Sequence, residues 1–496
     1  MSGTRTVWVM ALLGALASGV SEVGAGDYFV SASGDDAHAG TSAQQPLRTI
    51  GAAVARAQAG DTIHIAPGRY SERVRMERSG TADAPITLRR DGEGEVVWTT
   101  PADGPQRFQD RYALNIEGQE HIAIEGITFQ DCEGWIMLWE SNHCVIRDCT
   151  FDGARMYNAL RINSGSFNRI LDSRFVRGRD MTGFREDADW IPIPGCDYIE
   201  IFRDSHNNLV QGNIFGEITH MAVSISAVDP EAYRPSRNIV RDNVFRDPFW
   251  KVLWLHAGEH NVFEDNLCLG RAANFVQLEA GSSIIRRNRF VGYRDSTDGQ
   301  PDETLRGAVR MQFDFAQHNR IYNNLFYDNE RTLTNNSFRG QVTDNIFQNN
   351  IFFANRQSVF LGFPDYTTRN RNHFFHNLIL QQRPGQTVIQ LARREALTLA
   401  QAQADLPELY AGNIELDPRL VLDDDGMPVG LEADAPCLDA GGDLTATVGQ
   451  GEGTELVVQD ARWFCDGNGL IAGDEVVIGQ DQPAIRTRGG SVTATA

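Results

Sequence analysis

The 496-residue chain has a single lysine, Lys251, although lysine and arginine together number 45. It opens the stretch KVLWLHAGEH, with Trp254 and His256 close behind. An amine buried beside indoles loses solvation of its charged form, so its pKa falls toward that of a proton-abstracting base. Histidine titrates near neutrality unaided and is the commonest acid–base side chain. Further segments supply partners: FVQLEAG carries Gln277 and Glu279, GAVRMQ Arg310, ALRIN Arg161, YIEIF Glu200 and EITHM His220. Guanidinium groups take up carboxylates in a bidentate grip, and an outward indole offers a flat platform to a sugar ring. Lys251, His256, Glu279 and Arg310 are therefore the catalytic candidates. Arg161, Glu200, His220, Trp254, Gln277 and Tyr233 are the candidates for contacting substrate. Each has a plainer reading: Arg161 and Arg310 could merely pair with Glu200 and Glu279, and one lysine could reflect a preference for arginine.

Residues so far apart in sequence need a fold that gathers them. GITFQDC, DCTFDGA, DSRFVRG, GNIFGEI, DNVFRDP, DNLCLGR, RNRFVGY, NNLFYDN and DNIFQNN recur with anchors at Phe129, Phe151, Phe175, Phe215, Phe245, Cys268, Phe290, Phe326 and Phe347. Most steps are close to 22 residues, and the longer ones are that unit plus an insertion. Within each unit, apolar and variable residues alternate with the period of a strand. Asparagine recurs before the anchor at Asn213, Asn243, Asn266, Asn288, Asn324 and Asn345, where stacked amides can bond from coil to coil. The expected fold is all-β: a right-handed parallel β-helix. Its coils stack about 4.8 Å apart, so outward residues form columns. The aligned outward pairs are Arg161 and Asn163, Glu200 and Phe202, Ser224 and Ser226, Trp254 and His256, Gln277 and Glu279, Arg310 and Gln312. Glu279 then lies one coil from His256 and can orient it, with the register open by one residue. Lys251 is expected at the bend before the column. Insertions at 176–198, 226–238 (with Tyr233) and 292–307 would wall a groove over these coils.

The segment DYFVSASGDDAHAGTSAQQPLRTIGAAVARAQAGDTIHIAPGRYSERV, residues 27–74, resembles the entry segment of secreted β-helix proteins of the polysaccharide lyase and glycoside hydrolase type, the pectate-lyase-like superfamily. Its PLRTIGAAVARAQAGD reads as a capping helix over 47–60, ended by Gly60. NIELDPRLVLDDDGMPVGLEADAPCLDAGGD, residues 413–443, resembles the closing segment of such proteins. The expected organisation is a signal peptide over 1–26, the β-helix over 27–443 and a small β appendage over 444–496. The resemblance implies an exported carbohydrate-active enzyme.

A lyase acting on a uronic-acid polymer must neutralise the sugar carboxylate, abstract the C5 proton and protonate the leaving oxygen, and the column offers groups for each task. A hydrolase needs two carboxylates about 5 to 9.5 Å apart, whereas Glu200 and Glu279 stand three coils, about 14 Å, apart; Asp187 or Asp189 would have to supply the second acid. The lyase is therefore the first expectation and the hydrolase the second. A non-catalytic surface rod is the third; it would spread aromatic residues evenly instead of concentrating Trp, His, Lys and Arg in the middle coils. The Lys/Arg and acidic-cluster motifs of the well-known β-helix lyase families do not line up with this sequence, and the aspartate-rich signature of β-helix pectin hydrolases and the Asp-Pro-His motif of alginate epimerases do not occur.

The formal charge of -21 argues against a nucleic-acid partner and leaves room for an acidic polysaccharide gripped by a local arginine cluster. Arg5 followed by VWVMALLGALASGV has the layout of an export signal, too short for a membrane span, so a secreted, periplasmic or cell-surface location is expected. The seven cysteines are scattered without a metal-binding spacing and read as buried free thiols. Ca2+ is the one cofactor candidate. DGNGLIAGD, residues 466–474, lacks the spacing of a twelve-residue calcium loop and reads as a turn.

Overall fold

The computed structural model describes residues 25–178, 195–296, 306–312, 315–335, 342–357, 359–361, 371–381, 385–390, 396–449, 456–478 and 485–488. The expected signal segment, the bulk of the first and third insertions, and Asp187 and Asp189 lie outside them.

Alternating apolar residues send one face of every short strand inward, and each strand pairs with its counterpart one coil away. Three long sheets of 14, 13 and 12 strands result among the described residues. They are parallel throughout, apart from the last strand of the 13-stranded sheet, Ala396–Thr398. The chain is an all-β right-handed parallel β-helix. Its interior is zipped by like residues in register. Phe129, Phe151, Phe175, Phe215 and Phe245 stack with centroids 4.6–5.2 Å apart. Cys268 takes one place in this column, which resumes with Phe290, Phe326 and Phe352. The expected last anchor, Phe347, belongs to another stack with Phe374 and Tyr410 on the 14-stranded sheet.

At the bend between the 14- and 12-stranded sheets, each asparagine amide donates to the next Oδ1. The ladder runs Asn213, Asn243, Asn266, Asn288, Asn324, Asn350, Asn377, Asn413 at 2.9–3.1 Å. Asn345 is not on it; it bonds Asn319 and Asn372 in a second ladder. Two identical-looking N-x-F phrases per coil explain both shifts, because the sequence repeats the same bend chemistry at two corners.

The N-terminal cap is shorter than 47–60. The helix covers Ile50–Val54, with the Thr49 side chain accepting from the Ala52 amide and the Glu72 carboxylate accepting from Ile50 and Gly51. Leu47 instead makes a bridge to Val30, and Ala57 is fully buried beyond the helix. At the other end, Trp463, Cys465 and Leu470 of the C-terminal segment pack onto the outer face of the 14-stranded sheet, over Leu209, Ile239, Val262, Ile284 and Tyr322, and Glu475–Ile478 pairs antiparallel with Ile485–Arg488. Asp474 clamps Arg286 with two 2.6 Å bonds, and Asp460 pairs with Arg320 at 2.5 Å. Those outward Leu, Ile and Val residues supply the apolar stripe that draws the tail back as a strap. DGNGLIAGD turns within it, and its last carboxylate is engaged by Arg286 rather than free for a cation.

All seven cysteines are free. Burial pushes the Cys144 and Cys149 thiols up to about 12, so they are chemically quiet. No helix among the described residues is long and apolar enough to cross a membrane.

Candidate active site

The outward face of the 13-stranded sheet carries the candidate residues. Register pairs Arg161 with Glu200, Glu200 with Ser224, Ser224 with Trp254, Trp254 with Gln277 and Gln277 with Arg310. One pleat further along, Asn163, Phe202 and Ser226 line up. The ladder then carries His256 opposite Glu279, whose Nε2 and Oε2 are 3.9 Å apart. The aligned columns of the sequence are therefore those of the structure, and the open register closes in favour of a direct His256–Glu279 pair.

Lys251 is not at the bend but directly after it, three residues before the Trp254 column. It is the first residue of the strand Lys251–Leu255, in register with Met221 and Asn274. Val252 and Leu253 are both buried, and the lysine side chain nonetheless reaches the ring of Trp254. The ammonium lies 5.4 Å from the Trp250 ring centre and 5.1 Å from that of Trp254. Among the described residues it makes no hydrogen bond and no ion pair within 4 Å. It is 7% exposed. Burial, helped by Arg310 and Arg306, pushes its pKa down to about 8, against the opposing pull of Glu279 and Asp197.

Glu279 is buried and its pKa rises to about 7. Burial outweighs the hydrogen bond from Gln277 and the attraction of Lys251 and Arg310. Gln277, expected to touch substrate, instead donates its amide to Glu279. Trp254 is half-buried rather than an open platform. Lys251 sits over its ring, and His256 packs against it at 4.5 Å. Burial, and then Lys251, push His256 down to about 4, so its ring is neutral at pH 7.

Arg161 takes the plainer of its two readings: it pairs with Glu200 at 2.8 Å and lies 4.1 Å from the Phe202 ring. Glu200 is nonetheless pushed up to about 7, because its burial exceeds what Arg161 returns. Arg310 is 7% exposed and within electrostatic range of Lys251 and Glu279. Tyr233 stands at the far edge of the sheet, its ring 5.4 Å from Arg203.

Sequence reading missed Asp197, Tyr157 and Arg306. His220 Nδ1 bonds Asp197 Oδ1 at 2.5 Å, and its Nε2 faces the Tyr157 hydroxyl at 3.4 Å. The pair is buried, and Lys251 donates its backbone amide to the His220 carbonyl. Extending the column three residues upstream of Glu200 finds Asp197, in register with Met221 and then Lys251. Arg306 lies 4.8 Å from the Trp250 ring. Among the described residues no cluster of three His, Cys, Asp or Glu side chains could hold a metal ion.

Residues 112–293 match a family model described as a right handed beta helix region, and residues 32–78 match one described as a protein of unknown function, DUF1565. A stretch of 127 residues is 38% identical to Pectate lyase PEL9 of Emericella nidulans, covering 24% of this chain and 29% of that protein. The right handed beta helix model and the three stacked parallel sheets agree on the fold. Another 138-residue match, 33% identical, is to Uncharacterized protein YwoF of Bacillus subtilis (strain 168), covering 26% of this β-helix protein and 29% of that one. The matches thus span under a third of either curated relative. The PL6 family alginate lyase AlyGC superposes with a TM-score of 0.47 at 16% identity, covering 82% of this chain and 55% of that one.

Proposed function

We propose that this β-helix protein is an exported polysaccharide lyase that cleaves a uronic-acid polymer by β-elimination, with Lys251 as the base. The observation that carries the reading is the Lys251 amine, buried against two indoles without a counter-ion in contact. Such an amine is available as a neutral base near pH 8 and is adjacent to cationic groups suited to a sugar carboxylate. In the reaction the amine takes the proton on C5, the C4–C5 double bond forms and the C4–O bond breaks. Arg310, beside Lys251, stabilises the charge that develops on the carboxylate. Tyr157 protonates the departing oxygen, with His220 and Asp197 behind it to restore the proton. Neutral His256 and Glu279 fix the position of Trp254 along the sugar face.

A hydrolase is supported less well. Glu200 and Glu279 are both pushed up to about 7, as an acid requires. They remain three coils apart in separate columns, about 14 Å by stacking, beyond the span a water-mediated pair uses.

The test is a panel of acidic and neutral polysaccharides followed for unsaturated-end absorbance and for reducing sugar. The proposal expects absorbance on a uronate polymer. It also expects Lys251→Ala and Lys251→Arg each to lower kcat by roughly 10²–10⁴-fold, since arginine keeps the charge but cannot serve as a base. Reducing ends without absorbance select the hydrolase, and full turnover by Lys251→Arg removes the lysine from the chemistry.

A further inference from the structure

A second constellation lies several coils nearer the N-terminus, on the same sheet edge as Lys251. Arg73, Arg111, Glu133 and Arg155 each fall just before a strand of the 13-stranded sheet: Val74–Met76, Tyr112–Glu117, Gly134–Trp139 and Asn158–Asn163. Arg111, Glu133 and Arg155 line a pocket of about 440 Å³ together with Gly104, and Arg73 reaches Glu133 from outside that lining. Glu133 is buried and is held by Arg73 at 2.9 Å and by Arg111. One carboxylate thus faces two guanidinium groups, and the third, Arg155, adds a further positive charge.

Arg155 is the informative member. Among the described residues it makes no ion pair, and its one side-chain hydrogen bond is a 3.3 Å contact from Nη2 to Thr100 Oγ1. Its guanidinium is half-buried at the pocket with no carboxylate among the described residues to neutralise it, and its Nε is buried without a hydrogen-bond partner. The loop over the pocket also comes close: a Cβ on Gly104 would meet Glu133 Oε2 at 2.9 Å. Asp103 on that loop is exposed, and it is the Asp103 backbone carbonyl that Arg73 engages.

We infer that this pocket binds a carboxylate or sulfate group. Arg155 is its principal donor, and Glu133 holds Arg111 and Arg73 in place. The Arg155 coil is three rungs from the Lys251 coil, about 14 Å along the edge. A polymer lying on the catalytic cluster would therefore bring a later anionic sugar to the pocket. That choice of natural ligand rests on the lyase reading; the anion affinity does not.

The experiment titrates Lys251→Ala protein, which removes the buried amine of the catalytic cluster, with inorganic sulfate, sodium galacturonate and a galacturonate hexamer by calorimetry. The inference expects saturable binding that weakens roughly tenfold or more on adding Arg155→Gln and that weakens with salt. Thermal melting checks that the double variant is folded. Binding that is indifferent to Arg155, or no binding of any of the three probes, overturns the pocket. Sulfate binding without hexamer binding keeps the anion pocket and overturns the polymer as its source. Arg155-dependent binding in a protein that yields no unsaturated product from any polymer keeps the pocket while removing the lyase reading.

Discussion

Replacing Glu279 with glutamine should move the activity profile toward lower pH. With the Lys251 pKa at about 8, roughly one-tenth of the amine is neutral at pH 7 and about nine-tenths at pH 9. The wild-type kcat/KM should therefore rise about tenfold between those values, with its midpoint near the pKa of the free enzyme. The Glu279 charge favours the ammonium, so it holds this pKa up, while burial, Arg310 and Arg306 hold it down. Glutamine keeps the shape and the hydrogen-bonding reach but deletes the larger of the two anionic pulls, leaving only Asp197 against the depressing influences. The rising limb must then shift to the acid side, even if its plateau falls because Gln277 loses its carboxylate acceptor. The assay is the initial rate of unsaturated-product absorbance from pH 6 to 10, with thermal melts at each pH. A limb displaced to higher pH, or a wild-type rate that is flat from pH 7 to 9, would refute the reasoning.

Three more outcomes follow from the geometry. His256 is neutral in the fold, with its pKa lowered from 6.5 to about 4, so the unfolded chain binds the extra proton. Its contribution is present above pH 6.5 and is lost as pH falls toward 4; His256→Gln should reduce the acid loss of stability by on the order of 3 kcal/mol in urea titrations at pH 7 and 4. Asn266→Ala removes the amide that bonds the Val240 carbonyl and Asn288 and that receives two bonds from Asn243; urea unfolding should show a loss of roughly 3–5 kcal/mol. Trp463→Ala should release the C-terminal strap, read as new proteolytic cleavage between residues 456 and 478 while the coils remain resistant.

The coil architecture was legible because a stacked fold writes each rung twice, in inward alternation and in the bend residue. Arg161, Glu200, Ser224, Trp254, Gln277 and Arg310 could be aligned by counting alone, and they are in register. Counting failed where one coil has two similar corners, as at Asn345 and Phe347. Side-chain engagement was less readable. Gln277 and Trp254 look like contact residues, yet one serves Glu279 and the other carries Lys251 and His256. Lys251 was expected at the bend and instead opens the strand directly after it; strict alternation sets it and Trp254 on opposite faces, yet its ammonium lies over the Trp254 ring. Asp197 and Tyr157 lie upstream of the aligned window, and their link to His220 depends on a side-chain direction that periodicity does not encode. The strap was invisible because its docking face is the outward stripe Leu209, Ile239, Val262 and Ile284, which reads as ordinary strand sequence.

That strap bears on how the molecule can move. In a one-dimensional stack each rung normally breathes with its immediate neighbours only. Here the tail staples the rungs from Leu209 to Tyr322 along the back of the barrel, and these same rungs bear Glu200, Lys251, Glu279 and Arg310 in front. The segment that would otherwise be able to splay rung by rung is forced to shift as one slab, so the spacing of the reactive groups is governed from the opposite wall.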